Sequence, residues 1–98
     1  MDEINSKDYS WARVTGDRML CDGPCDLLFA YLVTSGATTD TVLRNGTDAA
    51  GEAIVTLKSA VVTGHDFNPP VPVFLDKGLF VDFGTSVSEV FVIWRKLK

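Results

Sequence analysis

Ninety-eight residues, 46% hydrophobic and 22% charged, predict one globular domain and exclude wholesale disorder. A net charge of -4 removes the phosphate neutralisation and counterion release on which nucleic-acid and anionic-membrane binding depend, so neither is an expected partner. A core of this size is small, and further burial through assembly would matter to it.

Residues 1–8 are polar, lack the apolar segment of a secretory signal, and read as a flexible arm ahead of a single domain over residues 9–98. Synthesis in a cytoplasm is the expectation. The longest apolar run, residues 27–33, is too short to span a bilayer. Residues 9–15 predict a first strand anchored by Trp11, and residues 16–24 a loop. Residues 26–34 predict the strongest strand, with Leu27, Phe29, Tyr31 and Val33 on one face and Leu28, Ala30 and Leu32 on the other. Aromatic content and flanking turn residues favour strand over helix here.

Ser35-Gly36 marks a turn, and residues 39–44 a short threonine-rich strand. Asn45-Gly46 predicts a tight turn, because both residues tolerate positive φ. A loop over 47–51 then leads to a strand over 53–58, where Ala53, Val55 and Leu57 alternate with Ile54, Thr56 and Lys58. Residues 60–63 extend this strand or open the next. Pro69, Pro70 and Pro72 cannot donate to a ladder, so their segment is an edge strand or an extended surface stretch. Asp76-Lys77-Gly78 predicts a turn. Strands over 79–83 and 87–95 follow, joined by a hairpin at Gly84-Thr85-Ser86. Seven to eight short antiparallel strands at this spacing, without an amphipathic helix, predict an all-β fold, a small β-sandwich or jelly roll.

Few residues suggest chemistry. Cys21-Asp22-Gly23-Pro24-Cys25 could close a disulfide, contribute to a metal site or stay reduced. A zinc site needs about four ligands, and the second pair is absent. Two free, partly buried thiols are the expected state, with a disulfide between Cys21 and Cys25 as the alternative. His65 beside Asp66 has no nucleophile-elbow serine to serve, and reads as a polar loop residue. Asp76, Asp82 and Glu89 are scattered over strand ends and turns, and Asp40, Asp48 and Glu52 are too sparse for calcium. Asn45-Gly46-Thr47 fits a glycosylation acceptor but is explained by the turn. No cofactor, metal or catalytic residue is expected.

The C-terminal strands carry hydrophobic side chains on both faces, where a half-exposed sheet would alternate apolar with polar. The second face is therefore expected to meet another subunit. Trp11, Phe80, Val90, Val92 and Trp94 are the candidates for that interface.

The segments Gly46-Thr47-Asp48-Ala49-Ala50-Gly51-Glu52-Ala53-Ile54, Phe67-Asn68-Pro69-Pro70-Val71-Pro72-Val73 and Gly78-Leu79-Phe80-Val81-Asp82 resemble small virion proteins of tailed bacteriophages. In these a glycine-containing turn follows one strand. A Pro-Pro or Pro-Ile segment then leads to a Gly-Leu-aromatic-Val strand, and a last strand of valines and aromatics closes the chain. The resemblance covers about residues 26–94 and rests on turn and strand signatures alone. It implies a small β-sandwich on capsid or tail, often trimeric.

The functional expectation is a non-enzymatic capsid decoration (cement) protein, a homotrimer on the virion surface with the phage major capsid protein as partner. The alternative is a receptor- or glycan-binding module of a head or tail fibre, in which Tyr9, Trp11 or Trp94 would stack on a sugar beside Asp and Asn side chains.

Overall fold

A computed structural model describes residues 3–5, 9–34, 39–59, 65–83 and 87–97. The described residues form ten strands: β1 (Glu3–Asn5), β2 (Ser10–Val14), β3 (Arg18–Asp22), β4 (Cys25–Thr34), β5 (Thr39–Asn45), β6 (Glu52–Ser59), β7 (His65–Phe67), β8 (Val73–Leu75), β9 (Gly78–Asp82) and β10 (Val87–Lys96). Every pairing is antiparallel. One sheet runs β1-β2-β10-β4-β7, with β8 also on β4, and the other runs β3-β9-β5-β6. The chain is all-β, two sheets packed as a sandwich. Its ribbons alternate between layers: β2 with β10 and β4 with β7 and β8 in the first sheet, β3 with β9 and β5 with β6 in the second. That alternation is jelly-roll wrapping.

The core lies between the sheets. Leu27, Leu32, Leu43, Leu57, Leu75 and Leu79 are fully buried, alongside Val14, Val81, Val90 and Val92. Each such side chain contributes about 1.5–3 kcal/mol relative to exposure. No buried side-chain nitrogen or oxygen among the described residues lacks a hydrogen-bond partner.

Two crossings close one end of the sandwich. The chain passes from β3 to β4 through Gly23-Pro24, and from β8 to β9 through Asp76-Lys77, changing sheet each time. The Gly23 amide donates to the Lys77 carbonyl at 3.2 Å, and the Gly46 amide to the Gly78 carbonyl at 3.2 Å. Gly78 has φ +151°, and a Cβ there would sit 2.6 Å from the Cys21 carbonyl oxygen and 2.9 Å from that of Gly46. Glycine is required at this junction by both its backbone and its space.

Several expectations are corrected. Glu3–Asn5 is not a free arm but pairs with β2 as an edge strand. The expected loop at 16–24 contains β3, whose short apolar signal is hidden between turn-forming flanks. The strands at 79–83 and 87–95 are not a hairpin: β9 and β10 lie in opposite sheets. The chain does leave β5 at Asn45 and connects to β6 through residues 46–51, but not by a positive φ at Gly46: among the described residues, only Gly23 and Gly78 are glycines of positive φ. Gly46 is needed because its Cα and that of Gly51 approach closely, a Cβ on Gly46 falling 2.9 Å from the Gly51 Cα. On β4 the register with β10 shifts between Ile93 and Trp94, which pair with Phe29 and Leu27. Leu28 is the extra residue of this bulge, so Leu27 shares the inward face with Ala30 and Leu32 rather than the outward face with Phe29 and Tyr31. The proline segment leaves the edge of β4 between β7 and β8, with Val71 67% exposed. The readings at Ser35-Gly36, 60–63 and Gly84-Thr85-Ser86 lie outside the described residues.

Candidate interaction face

On β10 the inward side chains are Val90, Val92 and Trp94, at 0%, 0% and 2% exposure. By the two-residue period the outward set is Glu89, Phe91, Ile93 and Arg95. The same rule turns Trp11 and Arg13 outward on β2, where Ala12 and Val14 are core. On β4 it turns out Asp26, then Phe29 and Tyr31 after the bulge.

Register assembles these residues into rows across three strands. Trp11, Ile93 and Phe29 form one row, and Arg13, Phe91 and Tyr31 the next. Glu89 lies beside Val33 beyond the second row, and Arg95 beside Asp26 beyond the first. The aromatic rings meet on the diagonals: Trp11 and Phe91 centroids are 5.7 Å apart and tilted by 39°, and Phe29 meets Phe91 edge-on at 6.3 Å. Diagonal contacts of this kind suit large rings on a pleated surface. Tyr31 remains 39% exposed.

Ion pairs close both ends of the apolar centre. Arg13 donates through Nε and Nη2 to the two carboxylate oxygens of Glu89, at 3.2 and 2.9 Å. Arg95 Nη2 donates to Asp26 Oδ2 at 2.8 Å. The bidentate geometry at Arg13 is the stronger form of such a pair, but both sites are solvated and each contributes about 0–1 kcal/mol to the isolated chain. Chemically the face offers desolvation of apolar area bordered by ordered charges, which suits docking against a surface.

The expected interface residues are therefore redistributed. Val90, Val92 and Trp94 are core, and the expectation that they meet another subunit is corrected. Trp11 does lie outward and half-buried. Phe80 is half-buried on the outer side of the other sheet, paired in register with Met19 and Arg44, so it cannot share a patch with Trp11. Phe91, Ile93, Phe29 and Tyr31 were missed as a face. Their signal was present: Glu89 and Arg95 share the phase of Phe91 and Ile93, and charges at both ends of a strand mark its outward side.

Other residues do not join this face. Cys21 and Cys25 are both free and buried, flanking the Gly23-Pro24 crossing. Cys21 Sγ lies 3.6 Å from the Gly23 carbonyl oxygen. Burial first, then the neighbouring Cys21, pushes the Cys25 thiol up to about 12, which suppresses the nucleophilic thiolate. Asp82 is held by Arg44 at 2.9 Å. Asp76 accepts from Asn45 Nδ2 at 2.8 Å, and this hydrogen bond holds its carboxyl below its ordinary range. Asp66 is exposed opposite Tyr31 in register. Among the described residues no three His, Cys, Asp or Glu converge to hold a metal ion.

An open depression of about 280 Å³ lies beside the loop after β5, lined by Asn45, Thr47, Asp48, Glu52 and Lys77 among others. It falls just below the usual volume of a small-molecule pocket, about 300–1,000 Å³, and has no aromatic wall for a sugar to stack on. Of the aromatics expected to bind a glycan, Trp94 is core, and Tyr9 and Trp11 belong to other parts of the surface. No protein family, curated protein or solved structure matches this chain.

Proposed function

We propose that this chain is a non-enzymatic structural protein that acts by docking, a decoration (cement) protein on the head of a tailed bacteriophage. The observation that carries the reading is the outer side of the first sheet, where Trp11, Phe29, Tyr31, Phe91 and Ile93 form one apolar centre between two ion pairs. Four aromatic side chains on a solvent face are a liability in an isolated domain and an asset in an assembly, where aromatic anchors dominate contact energies. The jelly-roll topology and the resemblance of the turn and strand signatures to small virion proteins support the same reading.

The mechanism is linkage. A protein that binds only the assembled shell stabilises it by mass action, and repeated weak contacts over a lattice add through multivalency. The test is composition and binding. Purified virions of the phage that encodes this chain should contain it in many copies, and heads stripped of it should rebind it saturably and then resist heat better. Its absence from virions, or stripped heads that do not rebind it, would overturn the reading.

A further inference from the structure

We propose that the outer face of the first sheet is a two-fold interface, and that its occupant is the same face of a second copy of this chain. The inference rests on the reading of the protein as one that assembles, and goes beyond it by naming the partner and the symmetry. What carries it is the order of charge along β10. The outward residues are Glu89, Phe91, Ile93 and Arg95: acid, apolar, apolar, base.

Two sheets pack face to face about 10 Å apart, with strand directions within about 30° of each other. A second copy can be turned about an axis lying in the interface and perpendicular to β10. Its β10 then runs antiparallel above the first, centred on Val92. Phe91 falls over the partner subunit's Ile93, Glu89 over the partner subunit's Arg95, and Arg95 over the partner subunit's Glu89. Each end lies about 10 Å from the axis, so a 30° crossing displaces the charged groups by about 5 Å, within the reach of an arginine side chain. The ion pairs within each chain extend the pattern. Arg13 is already on Glu89 and Asp26 on Arg95. Each end of the interface becomes a row of alternating sign: Arg13, Glu89, the partner subunit's Arg95 and the partner subunit's Asp26.

Other arrangements lose this match. A two-fold axis parallel to β10 stacks Glu89 on Glu89 and Arg95 on Arg95, which is repulsive at both ends. A three-fold assembly is heterologous, so this face would meet a different surface and its self-complementary order would go unused. Charge complementarity therefore selects the antiparallel two-fold contact, with the aromatic rows supplying the desolvated centre.

The test reverses one end at a time while keeping each ion pair within its own chain. One variant carries Arg13→Glu with Glu89→Arg, the other Asp26→Arg with Arg95→Glu. In the first, a basic position 89 would face the partner subunit's Arg95; in the second, Glu89 would face an acidic position 95. Light scattering on a sizing column should give wild type at twice the 10.7 kDa chain mass. Each variant alone should run as a single chain, its association weakened at least about tenfold. An equimolar mixture should return to the two-chain mass, because the reversed ends now complement one another. Near-ultraviolet circular dichroism checks that both variants are folded, and recovery in the mixture itself requires folded chains. A monomeric or trimeric wild type, a variant that stays dimeric, or a mixture that stays monomeric would overturn the inference. A wild-type monomer that still rebinds stripped heads removes the two-fold interface and leaves the decoration reading standing; a dimer that never binds heads does the reverse.

Discussion

Replacing Gly78 by alanine should be among the most destabilising single changes available in this chain. The added methyl group would sit 2.6 Å from the Cys21 carbonyl oxygen and 2.9 Å from the Gly46 carbonyl oxygen, and both obstacles are backbone rather than a movable side chain. At φ +151° the backbone is also one that side chains with a Cβ rarely adopt. Backbone strain of this kind costs about 1–3 kcal/mol, and forcing a methyl group into filled space about 1–3 kcal/mol more. The sum, about 2–6 kcal/mol, is a large fraction of the ~5–15 kcal/mol that a domain of this size has in total. Urea unfolding at fixed protein concentration measures it, and a shift in midpoint without a change in slope would show that the native state alone was affected. Gly16→Ala is the control, because a Cβ there meets nothing within 4 Å and no positive φ is involved. Two results would refute the reasoning: Gly78→Ala within about 0.5 kcal/mol of wild type, the usual range of an innocuous surface change, or Gly16→Ala equally costly.

Trp94→Ala should destabilise by about 3–5 kcal/mol, as expected for a core aromatic at 2% exposure. Ile93→Ser, one residue away on the outward phase, should cost far less in urea unfolding of the dissociated chain and instead weaken self-association in light scattering. Equal stability losses would mean that the two faces of β10 have been confused. Asn45→Ala removes the acceptor of the Lys77 amide along with a donor to Asp76, and loss of the amide's partner should cost about 0.5–1.5 kcal/mol by thermal unfolding. The Cys25 thiol has an ordinary value of 9.0, pushed up to about 12 in the folded chain. Between those limits the unfolded chain gives up this proton while the folded chain keeps it, so stability is complete below 9.0 and falls as pH rises towards 12. Urea midpoints measured on either side of pH 9.0 should show that fall in wild type, and a flatter profile in Cys25→Ala.

The strands at 26–34, 39–44 and 53–58 were legible from local properties of the chain: an aromatic-rich apolar run bounded by turn residues in the first, β-branched threonines in the second, and alternation of Ala53, Val55 and Leu57 with Ile54, Thr56 and Lys58 in the third. Composition and this spacing were enough for the all-β class. The faces were harder to read. Alternation gives two sets of residues per strand but does not say which set is inside, and on β10 both sets are apolar at their centre, with only Glu89 and Arg95 at the ends to set one apart. The choice was made by the second sheet, which covers Val90, Val92 and Trp94 and leaves Phe91 and Ile93 outside. The Leu28 bulge adds a second ambiguity, since one extra residue reverses the phase of everything beyond it.

Connectivity was decided by tertiary structure alone. Gly84-Thr85-Ser86 is as short as a hairpin loop, yet β9 and β10 belong to different sheets, because β9 pairs with β3 and β5 while β10 lies between β2 and β4. Residues 16–24 carry too short an apolar run to announce β3, which exists because β9 supplies its ladder. Local sequence thus determined that this chain forms short strands, where its polypeptide can turn, and that its C-terminal strands carry apolar side chains on both faces. Which strands are neighbours, which face is buried and which aromatics are left on the outer face depended on long-range pairing. Those contacts join residues far apart in the chain, and no local period encodes them.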